Sequence, residues 1–432
     1  MKVLFVSAHA PYDPGSYLMH PTLAYGHMST TLKAAGHEVC HVDLPLIGNE
    51  IAPLAKVLDD FTPELVGVSC VAQSYRQALE VTRAVRDWDR RVPTVLGGPH
   101  VTFIDDECLN RHESVDFVLR FDAETSIVDL ADSLAAEPSV GRPRSIPGLS
   151  MRTDSGIIRT AAAAPLMNLD ALGHPDRSIF DLATYLDNDY ETVVVSARGC
   201  PSHCTFCSTQ AAGRTYRAHS VQYVIDEIIA VLDAGFTSIY FGDDTIAGDR
   251  RRLLSICEAI ESRRLPVAWT SNIRGMDVDA ELLERMRAAG AYRVFTGFES
   301  VNYDSLKLMG KGRELQRSLQ VARTVQAAGL ELHASFIVGA PGDTPQTIRD
   351  TLDFVREINP TVATFNPFEP RPGTPMYAHA KKFGIIMDDP YWYEDTRWLT
   401  EPVAYTSTMS AADITAALYE CYTAFCSTEF VT

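Results

Sequence analysis

The sequence lacks a membrane span: its apolar runs are strand-sized, and none approaches the ~20 residues needed to cross a bilayer. It is poor in basic charge, with 38 Lys and Arg against 56 Asp and Glu, a net charge of -18. A surface that acidic repels phosphate backbones, which argues against general nucleic-acid binding outside a locally basic patch. The first residues, Met1-Lys2-Val3-Leu4-Phe5-Val6-Ser7, lack the longer apolar region and small-residue cleavage site of a signal peptide and read instead as a short strand. The expected location is therefore the cytoplasm. No repeat or low-complexity tract interrupts the chain. What remains is an ordinary globular composition, 46% hydrophobic and 22% charged, over 432 residues. That length suggests two or three domains. Nine cysteines in a reducing compartment point to free thiols or metal ligands rather than disulfides.

Strand and helix signals alternate in two regions. In the first, Val3–Ser7, Glu38–Val42, Leu65–Cys70, Thr94–Leu96 and Val115–Leu119 read as strands. Pro21–Ala35, Ser74–Trp88 and Glu124–Ala136 carry helical periodicity. This pattern predicts an α/β domain over residues 1–136 with a doubly wound parallel sheet. Residues 137–190 are punctuated by Pro138, Gly141, Pro143, Pro147 and Gly148 and read as a linker, with a small hairpin at Leu149–Thr160. The second region, 191–377, has strands at Thr192–Ala197, Ser238–Phe241, Val267–Ser271, Arg293–Gly297, Leu332–Val338 and Thr361–Phe365. Helices fit at Val221–Ala234, Arg250–Arg263, Ala280–Ala289, Leu315–Ala328 and Pro345–Ile358. Such a succession predicts a partial (β/α)6 barrel, whose chemistry lies at the carboxyl ends of the strands. A C-terminal segment, 378–432, is aromatic-rich at Tyr391, Trp392, Tyr393 and Trp398. It ends in a helix near Ala411–Phe425 and is expected on the substrate side of the barrel.

Cys200, Cys204 and Cys207 form C-x3-C-x2-C just after the first barrel strand. Three thiolates at that spacing can hold three irons of a cubane cluster and leave the fourth iron open. A structural zinc site is the competing reading, but zinc wants a fourth Cys or His, and His203 lies inside the loop where it cannot complete a tetrahedron.

Ala197-Arg198-Gly199-Cys200-Pro201-Ser202-His203-Cys204-Thr205-Phe206-Cys207-Ser208 resembles the cluster loop of radical S-adenosylmethionine (SAM) enzymes, Phe206 included. The resemblance extends to later strand ends: Phe241-Gly242-Asp243-Asp244, Ser271-Asn272-Ile273-Arg274, Gly297-Phe298-Glu299-Ser300, Phe336-Ile337-Val338-Gly339-Ala340-Pro341-Gly342 and Asn366-Pro367-Phe368-Glu369-Pro370-Arg371-Pro372-Gly373-Thr374-Pro375. It implies a [4Fe–4S] cluster on the three cysteines. It also implies SAM contacts from Phe206, Asp243, Ser271, Arg274, Glu299 and Gly339, and an external one-electron reductant of flavodoxin or ferredoxin type.

In the first domain, Val66-Gly67-Val68-Ser69-Cys70 and Gly97-Gly98-Pro99-His100 resemble the cobalamin-binding domain of the cobalamin-dependent radical SAM group. Ser69, Gln73, Gly97 and Gly98 are its implied cobalamin contacts. The D-x-H-x-x-G cobalt-ligand pattern of other cobalamin proteins is missing, because His9 has neither the Asp nor the Gly around it. Pro11 and Pro14 stiffen that loop, and no histidine is expected on the lower face of cobalt.

The resemblance implies an enzyme that methylates an unactivated carbon of a small biosynthetic metabolite, through a 5′-deoxyadenosyl radical and methylcobalamin. A non-methylating oxidation, ring contraction or cyclisation with the same cofactors is the alternative. A methylthiotransferase would need three further cluster cysteines in the first domain, one of them after the first strand, and Ser7–Ser16 contains none. Cys40, Cys70, Cys108, Cys257, Cys421 and Cys426 read as thiols without a cluster role, and a carrier that only binds cobalamin would have no use for the cysteine loop.

Overall fold

A computed structural model describes residues 1–8, 20–47, 51–136, 145–211, 213, 215–312 and 315–425. His9, Pro11, Pro14 and Cys426 lie outside them. The chain divides into two compact units, one essentially Met1–Val193 and the other from Val194 onward.

The first unit is a doubly wound sheet. Val3, Leu4, Phe5 and Val6 are all buried, so strand β1 (Lys2–Ser7) reads as a continuous apolar run, as a strand covered on both faces must. Around it lie β2 (Glu38–Asp43), β3 (Leu65–Ser69), β4 (Thr94–Gly97) and β5 (Phe117–Leu119). The helices are α1 (Leu23–Ala34), α2 (Ala52–Phe61), α3 (Tyr75–Trp88), α4 (Asp105–Arg111) and α5 (Ser126–Ala136). The strand order is β2-β1-β3-β4-β5 and these pairs are parallel. The order reverses between β1 and β3, where open α/β sheets bind ligands.

The stretch read as a linker contributes to this sheet. The hairpin β6 (Leu149–Thr153) and β7 (Gly156–Arg159) adds two antiparallel strands beyond β5. Leu149, Ser150 and Met151 are fully buried, which detached linker residues would not be. Prolines and glycines mark its turns and hide this from a composition argument. Helix α6 (Leu182–Asp187) also belongs to this unit.

The second unit is built on β8 (Thr192–Val194), β11 (Ser238–Phe241), β12 (Ala268–Asn272), β13 (Ala291–Glu299), β14 (Glu331–Val338) and β15 (Val362–Pro367), in that spatial order. Ala197–Arg198 (β9) is a two-residue strand outside this sheet, and Arg217–Ala218 (β10) is counted with the first unit. The intervening helices are α7 (Val221–Asp233), α8 (Arg250–Arg263), α9 (Ala280–Ala288), α10 (Tyr303–Leu308), α11 (Leu315–Ala327) and α12 (Pro345–Ile358), giving the expected partial barrel. Among the described residues no helix is long and apolar enough to cross a membrane.

The alternation along each strand separates two unlike faces. Phe241, Trp269, Val294, Leu332, Phe336 and Phe365 pack with Leu253, Leu282, Val321 and Ile348 of the helices in one core. Phe336 stacks on Phe298 at 5.9 Å and on Phe365 at 5.5 Å. Alternate residues on the opposite face, Tyr240, Asn272, Phe295, His333 and Thr364, keep part of their surface exposed. The inner face of the sheet is therefore accessible, whereas a closed eight-stranded barrel fills its interior with side chains.

Phe336 is the centre of the aromatic stack, so Phe336→Ala should lower unfolding stability by roughly 3–5 kcal/mol in urea denaturation. A loss below about 1 kcal/mol would show that the stack is not the core of this unit.

Candidate functional site: the cysteine loop and the strand ends

The loop carrying Cys200, Cys204 and Cys207 is held from outside. Asp243, after β11, accepts hydrogen bonds from Ser196 N (2.6 Å) and Ser196 Oγ (2.5 Å). Asp244 accepts from Gly199 N at 2.8 Å. Arg252 donates to Ser196 O at 2.8 Å. Further along, Thr205 N donates to Met309 O at 2.9 Å, and Thr205 O accepts from Met376 N, in α13 (Pro375–Ala378), at 3.0 Å. Gly310 has φ +72°, and a Cβ there would come within 2.9 Å of His203 O. The turn after α10 can lie against the loop only as glycine.

The three thiols are half-buried and free of disulfides. Burial pushes the Cys204 thiol up; Lys311 opposes that shift, and Cys207, Glu299 and Cys200 add to it. All four groups therefore lie within electrostatic reach of Cys204. Among the described residues no three Cys, His, Asp or Glu side chains are gathered to metal-ligating distance. The donor set itself, three free thiols on one short loop with Phe206 packed into a small core of Met309, Ala340, Phe368 and Met376, fits a cluster that keeps one iron open.

Glu299 ends β13 in a left-handed conformation, φ +68°, after a bulge at Gly297. It is 8% exposed and paired with Lys311, Nζ to Oε1 at 2.7 Å, and Lys311 also donates to Gly297 O at 2.9 Å. A Cβ on Gly297 would come within 2.1 Å of the Glu299 carboxylate. The glycine, the bulge and the lysine together aim this carboxylate, and strained backbone of this kind concentrates at functional sites. Lys311 went unnoticed in the sequence because its partner is 12 residues away, a distance no helical spacing signals.

The other residues expected at SAM fall in different places. Arg274 is clamped by Asp277 at 2.5 and 2.6 Å and donates to Ser202 of the cysteine loop. Asp243 is fully buried, its carboxyl pushed up to about 6 by desolvation, with its oxygens engaged by Ser196. Ser271 shares the helix-side face of Trp269, and its neighbour Asn272 occupies the inner face, donating to Tyr240 Oη and Asp243 O. The one-residue difference in parity decides which of the two reaches the inner face. Gly339, φ +82°, approaches protein: a Cβ would meet Ile414 Cδ1 at 2.5 Å, in helix α14 (Ala411–Phe425). Asp343 organises that turn, accepting from Gly339 N, Ala340 N and Ser305 Oγ. Trp392 and Tyr393, in the segment expected on the substrate side, are buried in packing.

In the first unit, Gly98 has φ +99°, and a Cβ would meet Cys70 O at 2.5 Å and Ser69 Oγ at 2.9 Å. Ser69 and Gly98 are thus brought together at the carboxyl edge of β3 and β4. A Cβ on Gly97 would meet only Leu119 O, at 3.7 Å, which leaves space beside this strand end for a broad ligand. Gln73 sits half-buried in the turn before α3. Tyr25 Oη donates to Val6 O (2.8 Å) and accepts from Ser69 N (2.6 Å), fixing Ser69 where the strand order reverses. His100 is buried and lies edge-on to Tyr75 at 4.8 Å. Ser69 and the open side of Gly97 fit a corrin, which needs close main-chain approach and polar groups at one sheet edge, whereas the positive φ of Gly98, like that of Gly339, serves packing against the protein itself.

Two family models match the chain: the B12 binding domain over residues 16–131 and the Radical SAM superfamily over residues 194–355. The chain is 29% identical over 94% of its length to an uncharacterized methyltransferase, PH0819, of Pyrococcus horikoshii, covering 87% of that protein. It is 28% identical over 90% of its length to the anaerobic magnesium-protoporphyrin IX monomethyl ester cyclase of Cereibacter sphaeroides, covering 65% of it. Its fold matches the radical SAM methyltransferase TsrM from Kitasatospora setae, solved with cobalamin and a [4Fe–4S] cluster, at a TM-score of 0.78. The identity is 18%, with coverage of 98% of this chain and 88% of that one.

Two outcomes follow from this geometry. Lys311→Met strands a largely buried carboxylate and should destabilise the protein by about 1–3 kcal/mol, while Lys311→Met with Glu299→Gln should recover most of that loss in thermal unfolding. A double variant no more stable than the single one would mean the pair is not coupled. Burial also raises the Asp343 carboxyl to about 6, so the folded state holds its proton more tightly than the unfolded chain. This group's contribution is therefore full at low pH and is lost as pH rises from about 4 to 6. Asp343→Asn should flatten the pH–stability curve in that window; an unchanged slope would contradict the assignment.

Proposed function

We propose, for a chain that belongs to the cobalamin-dependent radical SAM enzymes, a C-methyltransferase function: methylation of an unactivated carbon of a small biosynthetic metabolite. The observation that carries this reading is the half-buried, externally clamped loop of Cys200, Cys204 and Cys207 beside an accessible inner sheet face. Relatives named as methyltransferases support it. When bound, the cofactors supply one-electron cleavage of SAM, hydrogen abstraction and a transferable methyl group.

The chain's own residues hold and orient. Cys200, Cys204 and Cys207 hold the cluster and leave one iron for SAM. Phe206 anchors the loop in its small core. Arg274 fixes Ser202 within the loop, and Asp243 fixes the loop's entry. Glu299, aimed by Lys311, offers its carboxylate oxygen to the polar part of SAM. Gly339 and Asp343 set the turn after β14, and Asn272, on the inner face, takes the SAM contact expected of Ser271. Ser69, Gln73 and Gly97 receive the corrin and its nucleotide tail. Electrons come from a flavodoxin or ferredoxin, and neither nucleic acid nor membrane is a partner. The cyclase relative favours one alternative, a non-methylating reaction with the same cofactors.

Anaerobic incubation of the reconstituted protein with SAM, a strong reductant and candidate metabolites separates these readings. Formation of both 5′-deoxyadenosine and S-adenosylhomocysteine supports methylation; deoxyadenosine without S-adenosylhomocysteine selects the alternative. Cys200→Ala, Cys204→Ala or Cys207→Ala should each abolish deoxyadenosine formation, whereas Cys257→Ala and Cys421→Ala should leave it intact.

A further inference from the structure

Among the described residues, the inner face of the barrel sheet carries one buried polar atom that the fold does not satisfy. On β14, Leu332, Ala334, Phe336 and Val338 belong to the helix-facing core. His333 therefore lies on the opposite, accessible face, together with Ser335 and Ile337. Its Nε2 is buried and has no hydrogen-bond partner. Protein interiors rarely leave such an atom unpaired, because desolvating it costs about 1–3 kcal/mol.

The neighbours of His333 describe what belongs beside it. Phe295, its register partner on β13, lies edge-on to the imidazole at 4.7 Å. Asn272 and Tyr240, hydrogen-bonded to one another, share this face, and Asn366 donates to Ser335 Oγ at 3.5 Å. The charges on the face are used internally: Arg293 pairs with Glu331 at 2.6 Å and, at the strand end, Lys311 pairs with Glu299 at 2.7 Å. Burial, reinforced by Arg293, holds the His333 imidazole down to about 4, so the ring is neutral at physiological pH.

We infer that His333 anchors the substrate: its Nε2 hydrogen-bonds an uncharged polar group, a hydroxyl, amide or ring N–H, on a flat ring seated against Phe295. This assignment rests on the inner face being the substrate site of the proposed reaction and names the substrate class, an uncharged ring compound rather than a phosphorylated or carboxylated one. A neutral imidazole gives an anion no charge to pair with, and the paired arginine is already committed to Glu331. A flat ring gains from the edge of Phe295, and an unsatisfied nitrogen gains most from a neutral donor or acceptor.

The test reads binding without turnover, so it stands or falls independently of methyl transfer. Saturation-transfer NMR of the anaerobically reconstituted full chain is run with indole, phenol and benzamide as neutral probes, and with benzoate and phenyl phosphate as anionic ones. Neutral probes should bind and the anionic ones should not. His333→Ala should weaken the neutral probes about tenfold, the value of one hydrogen bond. His333→Gln should restore most of the affinity because its amide can replace the imidazole nitrogen, which a purely structural histidine would not predict. Iron content and thermal unfolding of both variants check that the fold persists; if the alanine variant does not fold, His333→Leu, which keeps the volume but carries no polar atom, takes its place and should show the same tenfold loss. Binding of anionic probes in preference, no binding of any neutral probe, neutral binding indifferent to the apolar variant, or a glutamine variant as weak as the apolar one would each overturn the assignment.

Discussion

Among the described residues after β9, the stretch that carries the three cysteines has no helix or strand before the short 3-10 turn at Ser208–Ala211, so the site depends on hydrogen bonds that fix the loop from outside. Two adjacent carboxylates carry the entry: Asp243 holds Ser196, and Asp244 holds the amide of Gly199 just before the first cysteine. Thr205 carries the centre, bonded on one side to the turn after α10 and on the other to the start of α13. A fully buried carboxyl is expensive unless satisfied, and Asp243 is satisfied by Ser196, by the Ala197 backbone and by the charge of Arg252. The same contacts therefore tie the end of β11 to the loop and solve the desolvation problem of the acid. An arrangement fixed in this way presents three thiols without using a helix or strand to carry them.

The second constraint is the contrast between the two faces of the barrel sheet. The helix side is a dry aromatic and aliphatic core in which Phe336 touches Phe298, Phe354 and Phe365. The inner side keeps Tyr240, Asn272, Phe295 and His333 partly exposed. Stability and chemistry are thereby assigned to opposite faces of the same strands. Along β13 the switch is abrupt: Phe298 packs into the core, and Glu299, after a left-handed turn, swings back over Gly297 towards Lys311.

Much of this was legible in the sequence, for physical reasons. Helices α7, α8, α12 and α14 begin at the expected residues because Ser220, Asp249 and Thr344 cap three of them with side-chain oxygens, and apolar periodicity marks the fourth. The cysteine spacing and the glycines at strand ends were visible as motifs. What was not legible depends on parity or long-range pairing. Ser271 and Asn272 are adjacent in sequence, and only the register with β11 shows which of them faces inward. Gly339 has the positive φ of a ligand-approach glycine, yet Ile414, 75 residues on, occupies the place of its side chain. The hairpin of β6 and β7 was visible as a hairpin, but nothing local announced that it would join the first sheet. Helix α2 carries little sequence signal because turn formers such as Pro53, Asp59 and Asp60 interrupt its apolar stripe.

The central claim is that this chain keeps two distinct metal cofactors, one on each unit. The most direct measurement is iron and cobalt quantification after anaerobic purification with added hydroxocobalamin. About four irons and one cobalt per chain are predicted, with the iron lost in Cys204→Ala and the cobalt retained. Zinc in place of iron, or iron without cobalt, would contradict the account.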